Sequence, residues 1–139
     1  MVGIGMTNAT ATRTYLSSQV LSTTNDTLMK KVIKDCANKY SYANDALQAA
    51  LQDLAADSYD YAFMHVTAAV DYPNACHNAF KRYPGSAYPS ELALREDALK
   101  HICDVVLGII DLLGWHLGSK DYVPVFVFQK AILLSTLST

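Results

Sequence analysis

Two cysteines set symmetrically about a short turn constrain this chain more than any other feature. Cys36 and Cys76 each lie twenty residues from Ala56, and two long helical patterns meet at Ala55-Ala56-Asp57-Ser58. Helices joined by so short a connection fold back antiparallel. At about 1.5 Å per residue each cysteine then sits about 30 Å from the turn, so the two sulfurs come opposite each other. A disulfide needs Cα atoms about 5.5 Å apart, closer than the usual ~8–10 Å between helix axes. Ala37, Ala75 and Ala79 are small enough to permit that approach. Closing such a loop is worth about 4 kcal/mol in the chain-entropy model. On spacing alone, two buried thiols remain the alternative.

With 139 residues, 51% of them hydrophobic and 17% charged, the chain suits one globular domain rather than a disordered segment. A net charge of −2 without a basic run argues against nucleic acid as a partner. No apolar stretch reaches the ~18 residues that would span a bilayer, so no membrane segment is expected. Met1-Val2-Gly3-Ile4-Gly5 has no basic n-region and leads into Thr7-Asn8-Ala9-Thr10, so no signal peptide is read here. Two Asn-x-Thr triplets, at Asn8 and Asn25, are candidate glycosylation sites if the chain enters the secretory pathway.

From Met1 to about Ser22 the pattern predicts a helix, with Ile4, Ala11, Tyr15 and Val20 on one side. Asn25 or Asp26 is placed to cap the next helix. That helix is expected from about Thr27 to Leu54, with Leu28, Val32, Cys36, Tyr40, Ala43, Leu47, Leu51 and Leu54 inward. A third begins near Ser58 and puts Ala62, Val66, Ala69, Pro73, Cys76 and Phe80 on one face. Pro73 removes a backbone donor, and one bent helix is expected rather than two. After a proline- and glycine-marked loop over 83–89, Leu92, Leu99, Val106 and Leu113 repeat every seven residues, with Ile102 and Ile109 between them. Gly114 or Gly118 can end this fourth helix. Residues 1–116 thus read as a bundle, and residues 117–139 as an atypical tail. Tyr122–Phe128 is β-prone and fits no bundle period, so an extra strand or an irregular, loosely packed apolar tail is expected.

Catalytic chemistry finds little to stand on. His65, His77, His101 and His116 do not pair at metal-ligand spacing, and neither a metal nor any other cofactor is expected. There is no Gly-x-Ser-x-Gly elbow, phosphate-binding glycine loop or His-Glu-x-x-His motif. Asp57 and Asp60 could share a helical face, but acidic residues at a helix start usually complement its dipole. Cys103 lies beside the Leu99–Val106 seam and reads as a buried, inert free thiol. What remains is surface: Tyr59, Tyr61 and Phe63 crowd the start of the third helix, where aromatics either fill a core or form an interface.

The segments around the cysteines carry a resemblance. Lys34-Asp35-Cys36-Ala37-Asn38-Lys39-Tyr40, Ala43-Asn44-Asp45-Ala46-Leu47, Thr67-Ala68-Ala69, Cys76, Phe80, Leu99-Lys100-His101-Ile102-Cys103-Asp104 and Ile109-Ile110-Asp111-Leu112-Leu113, in that order, resemble the plant invertase and pectin methylesterase inhibitor family. The likeness runs from about Thr7 to Leu113. It implies an all-α domain, a four-helix up-down bundle with Cys36 and Cys76 as its disulfide and Cys103 as a free cysteine. It further implies secretion to the cell wall or vacuole, and inhibition of pectin methylesterase or acid invertase by covering the enzyme's cleft. The chain joins the family pattern near the first bundle helix, leaving the family's N-terminal helical hairpin without a counterpart; the expectation is a truncated product. Invertase-directed members are similar to one another in a Pro-Lys-Phe triplet near the third helix, where this chain has Tyr59-Asp60-Tyr61. With aspartate in place of lysine, pectin methylesterase is the expected partner, acid invertase the alternative, and Tyr59, Asp60 and Tyr61 the candidate interface. A helical interaction module without inhibitory activity is the rival from another class, and an intact mass with and without reductant tells them apart.

Overall fold

The structure is a computed structural model describing residues 1–118 and 132–137, with side chains up to residue 114 and over 132–137. Four long helices follow one another: α1 (Val2–Tyr15), α2 (Thr27–Ala55), α3 (Tyr59–Lys81) and α4 (Ser90–Gly118). Each packs on its chain neighbour, and α4 also closes back on α1, giving an up-down bundle. No strand occurs among the described residues. The all-α expectation is met.

Two ends follow from this topology. One carries the α2–α3 turn, the start of α1 and the end of α4, and is here termed the hairpin end. The other carries the start of α2, the loop after α3 and the start of α4, and is the loop end.

The N-terminal helix departs most from its expected face. Ile4 is 57% exposed, whereas Val2, Gly5, Ala9, Thr12, Tyr15, Leu16 and Val20 are buried. The periodicity was weak because two of the inward positions are not hydrophobic. Gly5 lets α1 approach its neighbours closely; a Cβ there would lie 3.0 Å from Leu47 Cδ1 and 3.5 Å from Ile102 Cγ2. Thr12 satisfies its buried hydroxyl by donating to the Asn8 carbonyl at 2.8 Å. Beyond Tyr15 the chain widens into a π-helical turn over Leu16–Val20 and tightens to 3₁₀ over Leu21–Thr23. The wider turn keeps Tyr15, Leu16 and Val20 all against the core.

Asp26 caps α2 through its carboxylate, which accepts from the Leu28 and Met29 amides at 2.8 and 3.3 Å. The same carboxylate accepts the Tyr83 hydroxyl, tying the loop to the cap. Along α2 the inward face is Ile33, Cys36, Ala37, Tyr40, Ala43, Leu47, Ala50 and Leu54. Leu28 is 63% exposed, a correction to the expected seam. Asp57 closes the turn with φ 55°, a left-handed conformation that aspartate tolerates. That places Asp57 outside either helix, so it does not share a helical face with Asp60 as the sequence allowed.

Every expected inward residue of α3 is buried, and the helix runs through Pro73 without a break. In α4 the expected heptad residues Leu92, Leu99, Val106 and Leu113 are buried. Cys103 and Ile110 fill the intervening places instead of Ile102 and Ile109, which are half-buried. The tail expectation is corrected in part. Residues 132–137 form a short helix, α5, whose Leu137 is fully buried. The Met1 amine donates to the Thr136 and Leu137 carbonyls at 2.7 and 3.3 Å, and burial lowers its pKa. The β-prone segment Tyr122–Phe128 lies outside the described residues.

Candidate interaction surface

The loop end is where the chain fastens itself. Cys36 and Cys76 are joined as a disulfide with Cα atoms 4.8 Å apart, and both are buried. The small Ala37 beside Cys36 is buried as well. Close by, Glu96 is 2% exposed, in the α4 seam between Leu92 and Leu99. Its carboxylate is held from three elements: His77 Nδ1 at 2.7 Å, the Tyr88 hydroxyl at 3.0 Å and Lys100 Nζ at 3.1 Å. His77 also stacks on Tyr88, with ring centroids 4.0 Å apart, and Phe80 meets Tyr88 edge-on. Tyr40, wholly buried, faces this group; burial, then the charge of Glu96, push its ionisation up. A buried carboxylate is tolerated only when donors replace its water, and here they bind α3, the loop and α4 together. Sequence reading missed Glu96; its signal was its place four residues after Leu92 and three before Leu99.

Cys103 is the free cysteine and is buried. Burial, with the neighbouring Asp104 charge, pushes its thiol up to about 12, so it is held as the unreactive thiol. Of the two candidate glycosylation positions, Asn8 is half-buried within α1, and its Oδ1 lies 3.4 Å from the Thr12 hydroxyl. Asn25 is exposed in the connection before α2. His65 Nδ1 is 2.5 Å from Asp53 Oδ2, His77 is held by Glu96, and His101 is exposed. Among the described residues no group of three potential ligands could hold a metal ion.

The hairpin end has the opposite character. Of the candidate interface residues, Tyr59 is 7% exposed and donates to Asp57 Oδ1 at 3.1 Å, so the structure places it in the core rather than on the surface. Asp60 and Tyr61 do face solvent, Tyr61 at 62% exposure. Beside them Phe63 and Met64 are also exposed, and with Ile110, Asp111 and Gly114 they line a groove of about 510 Å³ between α3 and α4. Leu112 adds a further exposed apolar side chain on α4.

Charge separates the two ends. The described lysines and arginines are Arg13, Lys30, Lys31, Lys34, Lys39, Lys81, Arg82, Arg95 and Lys100, and all lie in the helix halves remote from the hairpin. Asp45, Asp53, Asp57, Asp60 and Asp111 occupy the hairpin halves, with no lysine or arginine among the described residues there. Among the described residues the arrangement offers no metal cage. It offers a rigid bundle with one apolar, acidic end.

No described helix is long and apolar enough to cross a membrane. Comparison with known proteins places these features in a family. Residues 1–109 match the family model described as plant invertase/pectin methylesterase inhibitor. A cell wall / vacuolar inhibitor of fructosidase 2 from Arabidopsis thaliana is 53% identical over 113 residues, which cover 81% of this chain and 63% of that protein. A pectinesterase inhibitor 28 from Oryza sativa subsp. japonica is 44% identical over 88 residues, covering 63% of this chain and 39% of that protein. A putative invertase inhibitor from Platanus orientalis is 31% identical over 96 residues, covering 69% of this chain and 55% of that protein. The chain thus spans less than two thirds of the length of each of these relatives. With the family model matching most of its length over an all-α bundle, the chain belongs to the plant invertase/pectin methylesterase inhibitor family.

Proposed function

We propose that this chain is a non-catalytic inhibitor that binds a plant carbohydrate enzyme and occludes its cleft, with acid fructosidase (invertase) as the first target. The observation that carries the choice is the 53% identity over 113 residues to a relative named as a fructosidase inhibitor. A rigid bundle suits steric occlusion, because the disulfide and the Glu96 cluster limit the ordering entropy left to lose on binding. The disulfide also fits an oxidising compartment, supporting location in the apoplast or vacuole.

Pectin methylesterase is the second reading, favoured by a specific residue. Asp60 stands where invertase-directed members carry lysine, and the rice relative at 44% identity is named for pectinesterase. The two readings part in one experiment. Oxidised, folded protein is titrated against an acid invertase and against a pectin methylesterase at mildly acidic pH. Saturable loss of sucrose hydrolysis with demethylation unaffected supports the first reading, and the reverse supports the second. Inhibition of neither at high molar excess overturns the inhibitor proposal.

A further inference from the structure

The charge separation and the exposed groove together say how the hairpin end can meet a partner. We infer that the α3–α4 groove at the hairpin end docks on a lysine- and arginine-bearing rim of the target enzyme's cleft, with an apolar side chain of that rim seated over Phe63 and Met64. The inference rests on the inhibitor reading above and adds the chemistry of the contact.

Three observations carry it. Phe63 and Met64 are 41% and 63% exposed on the open side of a groove of about 510 Å³, which is large enough for one or two partner side chains. Asp60 and Asp111 stand on the α3 and α4 walls of this groove, both exposed and neither in an ion pair with any described residue. No lysine or arginine is described in this half of the helices, and the Met1 amine there is held by the Thr136 and Leu137 carbonyls. An apolar floor between two like charges is matched by a partner with an apolar knob flanked by cations, and such matching speeds encounter and fixes register.

The same charges exclude a different pose. A glycosidase cleft carries a catalytic pair of carboxylates on its floor. The pair is one ionised carboxylate beside a protonated general acid, and Asp60 driven against the ionised member would set two anions together, a like-charge arrangement that costs several kcal/mol. The hairpin end therefore covers the mouth of the cleft from its rim and does not plug the catalytic centre. For an enzyme acting on a polyuronate, the same carboxylates would meet the cations that hold the substrate's acidic groups, so the chemistry of the contact is shared by both targets.

The test measures direct binding and inhibition in parallel for an acid invertase and a pectin methylesterase. Four proteins are compared: wild type, Asp60→Lys, Asp111→Lys, and Lys31→Glu/Lys34→Glu at the loop end. All four positions are exposed, and thermal unfolding verifies that each variant is folded. Wild-type association is expected to slow about tenfold between roughly 10 and 150 mM salt. Asp60→Lys and Asp111→Lys should each slow association about tenfold at low salt and flatten its salt dependence, while the loop-end variant stays within about twofold of wild type. Asp111→Lys keeps the test intact if Asp60→Lys weakens the first turn of α3. Charge-dependent binding without inhibition supports this contact and overturns the occlusion mechanism. Unchanged association by both hairpin-end variants, or a loss confined to the loop-end variant, overturns the contact while leaving inhibition standing. Binding to neither enzyme overturns both.

Discussion

At the loop end, the bundle spends its unusual chemistry on itself. A disulfide joins α2 to α3, and a buried carboxylate joins α3, the following loop and α4. At the hairpin end the helices meet through apolar packing and the half-buried Asp53–His65 contact, and other residues point outward: Asp60, Tyr61 and Met64 on α3, Asp111 and Leu112 on α4. The difference bears on the docking role proposed above. One end is fastened strongly enough that the other can hold an exposed apolar surface without the fold depending on it.

The comparison breaks if the fastenings carry little stability, and the largest expected effect lies at the disulfide. Replacing both Cys36 and Cys76 with serine should cost about 4 kcal/mol, read as a lower urea midpoint with a slope that rises as the unfolded chain expands. Reductant should move the wild-type midpoint the same way and leave the double variant unmoved.

Glu96 comes next. Glu96→Ala should cost about 2–3 kcal/mol, less than breaking a wholly buried pair, because His77 and Lys100 keep partial access to water. Equilibrium unfolding measures it, and a change under about 0.5 kcal/mol would mean that the cluster does not fasten the loop end.

Cys103 gives a smaller effect with a definite sign. Its folded pKa, raised from 9.0 to about 12, lies above that of the unfolded chain, so it adds no pH dependence below about pH 9. Stability should then fall as pH rises from about 9 to 12, because the unfolded thiol loses its proton first. Iodoacetamide at pH 8 should leave the native chain unlabelled and add one group per chain in denaturant.

The smallest effect belongs to the hairpin end. Met64→Ser, at a position 63% exposed, should change stability by less than about 0.5 kcal/mol while weakening target binding several-fold. A large stability loss would place Met64 among the fastenings and erase the distinction between the ends.

Much of this was legible in the sequence, for physical reasons that differ along the chain. From Ala62 onward the α3 face was legible because its inward positions recur at helical spacing. Symmetry about a four-residue connection pointed to the disulfide but left two buried thiols open, and the family resemblance supplied the pairing. The face of α1 was not legible: its close contact is Gly5 and its buried polar group is Thr12, and neither registers as hydrophobic. Glu96 escaped because a carboxylate between two leucines reads as a surface residue until its three donors, from two other elements as well as its own helix, are assembled around it. Tyr59 was grouped with Tyr61 as interface, although two positions of helical rotation send one ring inward and the other to solvent. Choosing between targets was harder still, since a partner's surface is written in the partner's sequence.

Hydrogen exchange on the chain bound to its target tests the central claim most directly. The account predicts new protection over residues 60–66 and 108–114, with the segments 28–39 and 79–95 exchanging as in the free protein. Protection confined to those loop-end segments, with the α3–α4 groove unchanged, would contradict it.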